Sequence, residues 1–125
     1  MTKILIIEDN YANLTLVMRV LEPQGYELHT AADAESGIQK AIEELPDLVL
    51  IDIGLPDYDG HTVLMWLKQV TELAHTHFVA LSAWPAELAA ETVDRYGYDG
   101  FISKPIDIHQ FPTQIRSYLS TAQDV

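Results

Sequence analysis

Short apolar runs and longer amphipathic stretches alternate five times along this chain of 125 residues. The runs are rich in β-branched residues, which favours strands, and they lie at Lys3–Ile7, Tyr26–Thr30, Leu48–Asp52, His77–Ser82 and Gly100–Ser103. The stretches between them repeat apolar residues at intervals of three and four, which is typical of helices. Regular alternation of strand and helix requires a parallel sheet with right-handed crossovers and helices on both faces. We therefore predict a single doubly wound α/β domain over residues 1–125, a length that suits one hydrophobic core.

Several helix ends carry their own sequence signals. Pro23 and Gly25 end the first helix, and Asp33 is placed to cap the start of the second. Pro85, near the first position, and Gly97, just past the end, mark the limits of the fourth helix. These signals predict where the chain leaves each helix to return to the sheet.

The apolar stripes predict which side of each helix faces the sheet. The residues expected to be buried are Leu14, Val17, Met18 and Leu21 in the first helix, Ala34, Ile38, Ala41 and Ile42 in the second, Val63, Leu64, Leu67 and Val70 in the third, Leu88 and Val93 in the fourth, and Ile108, Phe111, Ile115 and Leu119 in the fifth. The fourth helix has only two sizeable aliphatic residues, so we expect it to be held weakly and to be mobile. Because Pro112 lacks a backbone donor, the fifth helix either begins after Asp107 or has a distorted first turn.

Composition excludes several classes of function. The chain has 19 acidic and 7 basic residues, a net charge of −12, and its bases are scattered, which argues against direct nucleic-acid binding. The negative charge suits a divalent cation or a basic surface on a partner protein. The absence of cysteine excludes disulfides, thiolate metal sites and cysteine nucleophiles. No apolar run approaches the ~20 residues of a membrane span, so we expect a soluble, cytoplasmic protein without membrane insertion.

Polar residues collect at the carboxyl ends of the predicted strands, the edge where open α/β sheets bind ligands. Glu8 and Asp9 follow the first strand, Asp52 ends the third, Ser82 ends the fourth and Lys104 follows the fifth. Three neighbouring carboxylates repel one another unless a cation is present, and oxygen ligands favour Mg²⁺, with Mn²⁺ as the alternative. A metal together with Lys104 then attracts an anion such as a phosphoryl group. Asp52 is the best candidate nucleophile, forming an aspartyl phosphate.

Four motifs carry a family resemblance: "EDN" at 8–10, "DIGLPDYDG" at 52–60, "LSA" at 81–83 and "FISKP" at 101–105. Together they closely resemble the CheY-like receiver domain of bacterial two-component response regulators, from about Lys3 to Leu119. The resemblance implies a flavodoxin-like fold with strand order 2-1-3-4-5. The segments "LAHTHFVALSA" and "FISKPI" are similar to single-domain receivers of cell-cycle relays.

The resemblance implies a metal site next to a phosphoacceptor. Asp52 takes the position of the phosphoacceptor and also of a metal ligand. Asp9 is implied as a direct Mg²⁺ ligand, Glu8 as a ligand acting mainly through water, and the backbone carbonyl of Gly54 as a further ligand.

The remaining motif residues are implied to bind the phosphoryl group and to respond to it. Ser82 is expected to donate to one phosphoryl oxygen, and Lys104 to pair with another. Phe101 matches the aromatic switch residue that turns inward when Ser82 moves, although it lacks the usual tyrosine hydroxyl. The family often has a cis bond before the proline that corresponds to Pro105.

Two positions flank the path of a hydrolytic water in the family. Gly54 replaces a larger residue and opens that path, while Trp84 is large enough to cover it. The two effects oppose each other, so the lifetime of the phosphorylated form stays open.

The function implied is that of a single-domain response regulator, which is not an enzyme. It receives a phosphoryl group on Asp52 from a histidine kinase or a histidine phosphotransfer protein. It then signals to a downstream protein through the fourth helix, fifth strand and fifth helix, as a monomer or a phosphorylation-dependent homodimer. The alternatives are a phosphorylation-independent interaction module, or the receiver fragment of a longer regulator or hybrid kinase. A phosphatase is disfavoured because Gly54 stands where a second carboxylate is expected.

Other residues are interpreted as structural. The five histidines show no ligand spacing with other donors. We expect Trp66 and Tyr96 to pack, and Asp57 and Asp59 to lie solvated in a turn.

Overall fold

Strands and helices alternate along the chain in the order that the sequence predicts. The computed structural model describes residues 1–55, 57 and 59–121. Its strands are β1 (Lys3–Ile7), β2 (Glu27–Ala31), β3 (Leu48–Asp52), β4 (His77–Ser82) and β5 (Gly100–Ser103). Its α-helices are α1 (Tyr11–Leu21), α2 (Ala34–Glu44), α3 (Gly60–Lys68), α4 (Ala86–Tyr96) and α5 (Phe111–Thr121). Four strands have the predicted bounds, and β2 lies one residue later than predicted.

The strands form one parallel sheet in the order β2-β1-β3-β4-β5. This is the predicted order, and strand order reverses between β1 and β3. Ile7 pairs with Ile51 across that junction, so Glu8 and Asp52 follow at neighbouring positions on the same edge. Every residue of β3 is buried, as expected for a central strand that is covered on both faces.

Side chains alternate along the strands between two apolar cores, one on each face of the sheet. The first core receives Leu5, Ile7, Val49, Ile51, Phe78 and Ala80 from the strands, and it is covered by residues of α2 and α3 with Val93 of α4 packed against it. The second core receives Ile4, Ile6, Leu48, Leu50, Val79 and Leu81, and it is covered by α1 and α5. Among the described residues, none of the helices is both long and apolar enough to cross a membrane.

Most of the predicted helix ends are confirmed. The Asp33 side chain accepts a hydrogen bond from the Ser36 amide at 2.8 Å and caps α2. A short 3-10 turn over Glu22–Gln24 follows α1 and ends at Gly25, and α4 ends at Gly97 with a φ of 84°. Pro85 differs slightly from its predicted place, because it is the N-cap residue of α4 and lies outside the helix.

The fifth helix begins after Asp107, which is the first of the two predicted alternatives. Asp107 accepts hydrogen bonds on Oδ1 from the amides of His109 at 2.9 Å and Gln110 at 3.3 Å. This closes a turn ahead of the helix, and α5 starts at Phe111 with Pro112 in its first turn. A proline is tolerated there because first-turn amides have no partner within the helix.

Three apolar residues predicted to face the sheet are exposed instead. The exposed fractions are 47% for Ile42, 45% for Leu88 and 49% for Ile108. Ile108 lies before α5 begins, and α4 buries the smaller Ala89 and Thr92 in place of Leu88.

Helix α2 lies so close to the sheet that its contact residues are small. It buries Ala34, Gly37 and Ala41. A methyl group at Gly37 would lie only 2.5 Å from Cδ1 of Ile7. This close approach fixes the rotation of α2 and turns Ile42 outward.

Candidate functional site

Three charged side chains meet at the carboxyl edge of the sheet, where β1 and β3 adjoin. Nζ of Lys104 lies 2.8 Å from Oε1 of Glu8 and 3.1 Å from Oδ1 of Asp52. Glu8 is fully buried, and Asp52 is 8% exposed. The strands fix this meeting, because the Glu8 amide donates to the carbonyl of Ala31 in β2 at 3.0 Å. The sequence prediction that Glu8, Asp52 and Lys104 converge is confirmed.

The loop that carries Lys104 is tied to the end of β4. The Lys104 amide donates to the carbonyl of Ser82 at 2.7 Å. The peptide bond between Lys104 and Pro105 is cis, as the family resemblance implies. The hydrogen bond to Ser82 holds Lys104 beside the end of β4, and the lysine side chain contacts the two acids.

Burial and mutual contact shift the pKa values of the two carboxyl groups in opposite directions. Burial, followed by the neighbouring Asp52, raises the pKa of Glu8 to about 7 from 4.5, although Lys104 opposes this change. Burial also acts to raise the pKa of Asp52. Hydrogen bonding with Glu8 and with the Gly54 amide, together with the charge of Lys104, outweighs it, so the pKa of Asp52 lies below 3.8. Near neutral pH, Asp52 is therefore ionised, while Glu8 is about half protonated.

The lysine keeps its charge despite partial burial. Burial acts to lower the pKa of Lys104, but contact with the carboxylates of Glu8 and Asp52 outweighs it and leaves the pKa above its ordinary value of 10.5. One ammonium thus faces two carboxyl groups, and the edge remains attractive to a further cation.

The predicted metal ligands lie together with suitable donor chemistry. Glu8, Asp9 and Asp52 each offer a carboxylate oxygen, and these oxygens lie within 4.8 Å of one another. Oε1 of Glu8 is paired with the ammonium of Lys104, while Oε2 of Glu8 is buried and has no donor among the residues that the structure describes. This buried carboxylate, beside the exposed Asp9 and with Asp52, forms an all-oxygen set that fits Mg²⁺.

Gly54 contacts the proposed acceptor directly. Its amide donates to Oδ1 of Asp52 at 3.1 Å. Lys104 contacts the same oxygen, so Oδ1 of Asp52 is engaged by both groups.

Ser82 borders this group at the end of β4. Ser82 is buried, and its hydroxyl oxygen accepts a hydrogen bond from the Trp84 amide at 3.0 Å. Asp52 pairs with Leu81 across the sheet, so Ser82 lies one residue further towards the edge. The Trp84 amide therefore holds the Ser82 hydroxyl at the end of β4.

Phe101 is half-buried on β5, opposite Ala80 of β4. Its side chain packs against the core beneath α2 and α3. Its carbonyl accepts a hydrogen bond from the Tyr118 hydroxyl of α5 at 3.3 Å. Phe101 therefore links the sheet edge to the last helix.

The two acids after β3 are exposed, as predicted, and both also accept hydrogen bonds from amides at the start of a helix. Asp59 is the N-cap of α3 and accepts a hydrogen bond from the Thr62 amide at 2.9 Å, which lowers the pKa of Asp59. Asp57 accepts hydrogen bonds from the amides of Ala34 at 2.8 Å and Glu35 at 3.2 Å, at the start of α2. The role of Asp59 could be predicted from the sequence, because an aspartate directly before a helix is a typical N-cap. The contact of Asp57 could not be predicted, because it depends on where the loop after β3 lies.

One histidine does stand among potential ligands, contrary to the sequence interpretation. Nε2 of His29 lies 2.8 Å from Oε2 of Glu27 and 3.4 Å from Oε1 of Glu44. Residues two apart on a strand share a face, which is the signal that the interpretation missed. Lys3 already provides these carboxylates with a cation, 3.8 Å from Glu27 and 3.7 Å from Glu44.

Tyr96 and Trp66 are less buried than packing residues usually are. Tyr96 is 36% exposed and Trp66 is 42% exposed. The Tyr96 ring stacks on His61 with centroids 4.0 Å apart, and His61 meets Trp84 edge-on at 6.2 Å. This aromatic group could not be predicted from local pattern, because its members come from α3, α4 and the loop between β4 and α4.

Comparison with known proteins extends the likeness over nearly the whole chain. The family model of the response regulator receiver domain matches residues 4–116. The polar-differentiation response regulator DivK of Brucella ovis is 37% identical over 123 residues, which cover 98% of this chain and 100% of that protein. A CheY-like response regulator receiver domain protein from Methanospirillum hungatei JF-1 has a TM-score of 0.88 at 27% identity, covering 99% of this chain and 98% of that one.

A more distant neighbour shares the fold. It is the receiver domain of a sensor histidine kinase from Pseudomonas aeruginosa PAO1, solved with a magnesium ion coordinated in its active-site cleft. Its TM-score is 0.85 at 23% identity, covering 95% of this chain and 98% of that one.

Proposed function

Because this chain belongs to the response regulator receiver domain family, we propose that Asp52 is the residue on which its phosphorylation-based signalling depends. The observation that carries the proposal is the contact between Lys104 and Asp52 at 3.1 Å, at the end of a fully buried central strand. The low pKa of Asp52 keeps its carboxylate ionised and nucleophilic at neutral pH. Asp52 is regenerated by hydrolysis, so the protein is a phosphoacceptor and not an enzyme acting on a separate substrate.

The transfer is a displacement at phosphorus. Oδ2 of Asp52 forms the new bond to phosphorus while the bond from phosphorus to the donor's histidine nitrogen breaks. That nitrogen keeps the electron pair, and because the other ring nitrogen of the phosphohistidine carries a proton, the donor's side chain leaves as neutral imidazole. Gly54 and Lys104 support the assignment of Oδ2, because both engage Oδ1. Little covalent chemistry is asked of the protein beyond positioning and charge neutralisation.

Mg²⁺ is the proposed cofactor, held by Glu8, Asp9 and Asp52 with the backbone carbonyl of Gly54 as a further ligand. When bound, the ion neutralises charge on the transferring phosphoryl oxygens. Mn²⁺ offers the same charge and ligand preference and is the expected substitute. Glu8 assists by releasing its proton and giving the site a second buried carboxylate.

Ser82 and Lys104 hold the phosphoryl group after transfer. Lys104 pairs with one phosphoryl oxygen, and this contact replaces part of its present pairing with Glu8. The Ser82 hydroxyl leaves the Trp84 amide and donates to another phosphoryl oxygen. Phe101 then turns inward towards the space that Ser82 vacates.

The phosphoryl donor is a histidine kinase or a histidine phosphotransfer protein. A surface cavity of about 430 Å³ on α1, the helix that follows Asp9, supports this, being lined by Tyr11, Ala12, Thr15, Leu16 and Arg19. Tyr11 is 82% exposed there, an apolar surface on which a helical donor domain can dock. Because donors of this kind act in the cytoplasm, we propose that this protein is cytoplasmic as well.

The signal passes to a downstream protein through the face formed by α4, β5 and α5. The protein acts as one receiver domain over residues 1–125, either monomeric or dimerising on phosphorylation. The hydrogen bond from Tyr118 to the Phe101 carbonyl supports this face, since movement of Phe101 reaches α5 through it.

The test is phosphorylation by acetyl phosphate, followed by intact mass. We expect the wild-type chain with Mg²⁺ to gain the mass of one phosphoryl group. Asp52→Asn should gain none, while the exposed-residue control Asp94→Asn should behave as wild type. Chelation of the metal should abolish the gain. If the wild-type chain gains nothing with Mg²⁺, the phosphorylation-independent interaction module replaces this proposal.

A further inference from the structure

A groove of about 500 Å³ lies between α4, the loop before α4 and the start of α3. Its lining includes His61, Trp84, Leu88, Glu91, Arg95 and Tyr96. Apart from Trp84, whose amide contacts Ser82, these residues take no part in the phosphoryl site described above. The groove therefore needs an explanation of its own.

The walls of the groove are apolar, exposed and ordered by contacts with one another. The exposed fractions are 40% for Trp84, 45% for Leu88 and 36% for Tyr96. The rings of His61 and Tyr96 stack with an angle of 3° between their planes. Nδ1 of His61 also lies 3.3 Å from the hydroxyl of the buried Tyr98. An exposed apolar cluster on a preformed aromatic wall is typical of a protein interaction site.

Charge decides what kind of partner the groove accepts. Glu91 and Arg95 both line the groove, and Glu87 and Asp94 are exposed elsewhere on α4, so this helix carries three acids and one base. A second copy of this chain would bring the same acids, and its net charge of −12, against them. The partner with complementary charge is a basic segment of another protein.

We propose that this groove binds a basic amphipathic segment of a partner protein, with an aliphatic or aromatic side chain inserted between Trp84, Leu88 and Tyr96. Lysine or arginine residues beside that anchor then face Glu91. Apolar anchors give such contacts most of their affinity, and the surrounding charges give specificity.

The groove is coupled to Asp52 through Ser82, an extension that rests on the proposed function. The Trp84 amide donates to the Ser82 hydroxyl at 3.0 Å. When Ser82 turns to the phosphoryl group, this hydrogen bond breaks and the Trp84 backbone is released. Because Trp84 forms one wall of the groove, phosphorylation of Asp52 changes the affinity for the basic segment.

The test uses two short synthetic amphipathic peptides with the same leucine and phenylalanine face. One carries lysine on its polar positions, and the other carries glutamate there. Binding is followed by the fluorescence of Trp84 in a Trp66→Phe background, since Trp66 does not line the groove. We expect the lysine peptide to bind and the glutamate peptide to bind at least about tenfold more weakly.

Variants locate the binding. Leu88→Asp should weaken the lysine peptide by about tenfold or more, and Glu91→Lys by about threefold to tenfold. Glu22→Lys makes the same charge change on the opposite face of the sheet, so it should leave the affinity within about twofold. Leu88 and Glu91 are exposed, and unchanged thermal unfolding will show that the variants fold.

Three results of the peptide titrations overturn the docking proposal. They are a lysine peptide that does not bind, a glutamate peptide that binds equally well, and binding that Leu88→Asp and Glu91→Lys leave unchanged. A concentration-dependent dimer that Leu88→Asp abolishes would show that a second copy occupies the groove, and it would overturn the proposal as well.

Phosphorylation is then tested on the same samples with acetyl phosphate and Mg²⁺, with the intact mass recorded beside each titration. A change of about threefold or more in peptide affinity on phosphorylation supports the coupling. An unchanged affinity in protein that carries the phosphoryl group refutes the coupling and leaves the proposed function standing. A chain that takes up no phosphoryl group refutes the proposed function, while peptide binding by the unmodified chain still decides the docking proposal.

Discussion

The burial of Glu8 beside Asp52 predicts that the metal-free protein loses stability as pH rises. The pKa of Glu8 is about 7 in the folded chain against 4.5 ordinarily. Between these values the folded state holds a proton that the unfolded state has released. The contribution of Glu8 to the free energy of unfolding is therefore fully present below pH 4.5 and is lost as pH rises to about 7. Each pH unit between these two pKa values lowers the free energy of unfolding by about 1.4 kcal/mol, so the full loss is about 3 kcal/mol.

The substitution that isolates this effect is Glu8→Gln. Glutamine resembles the protonated acid in shape, and its amide can donate to Asp52 without a titration. At acid pH the two proteins should be similar in stability. Above about pH 7, the free energy of unfolding of the variant should exceed that of the wild type by about 3 kcal/mol, within a factor of about two.

The assay is urea unfolding followed by tryptophan fluorescence, with a chelator present, at a series of pH values from about 5 to 8. The quantity of interest is the difference in free energy of unfolding between variant and wild type, because other titrating groups cancel in it. Glu43→Gln, an exposed change on α2, serves as the matched control and should show no pH-dependent difference. A constant difference between Glu8→Gln and wild type across this range would refute the reasoning about Glu8.

Two further predictions concern the helices that frame the site. Gly37→Ala should destabilise the protein by about 1–3 kcal/mol in urea unfolding. The added methyl group would overlap the buried Ile7 side chain, and the cost of this overlap should exceed the roughly 1 kcal/mol gained in helix propensity. A more stable variant would show that α2 can move away from the sheet. Asp57→Asn should lower the free energy of unfolding by about 1 kcal/mol, because it removes the anionic cap at the start of α2. If this loss were the same at high and low salt, the electrostatic part of the cap would be contradicted.

The strands and the site edge could be predicted because both depend on local pattern. β-branched runs such as Leu48–Asp52 identify strands, and parallel strands bring their carboxyl ends to one edge. Glu8, Asp52 and Lys104 could therefore be placed together before any distance was known.

The faces of the helices were predicted less well, because the depth of packing decides which residues are buried. Ile42 is exposed because Gly37 lets α2 approach Ile7 closely, which no periodicity shows. Leu88 is exposed because α4 rests on the smaller Ala89 and Thr92.

Contacts between distant loops and helix ends were missed for a similar reason. Asp57 reaches the amide of Ala34 from a loop 23 residues later in the chain. His29 meets Glu44 only because α2 ends beside β2. Neither contact has a fixed sequence spacing from which it could be read.

The most direct test of the central claim is the position of the phosphoryl group in the chain. After incubation with acetyl phosphate and Mg²⁺, borohydride reduction converts an aspartyl phosphate into homoserine, which peptide mass spectrometry locates. We predict homoserine at position 52 alone, and none when Mg²⁺ is removed by a chelator. Homoserine at Asp9 or another acid, or none anywhere with Mg²⁺ present, would contradict the assignment of Asp52 as the phosphoacceptor.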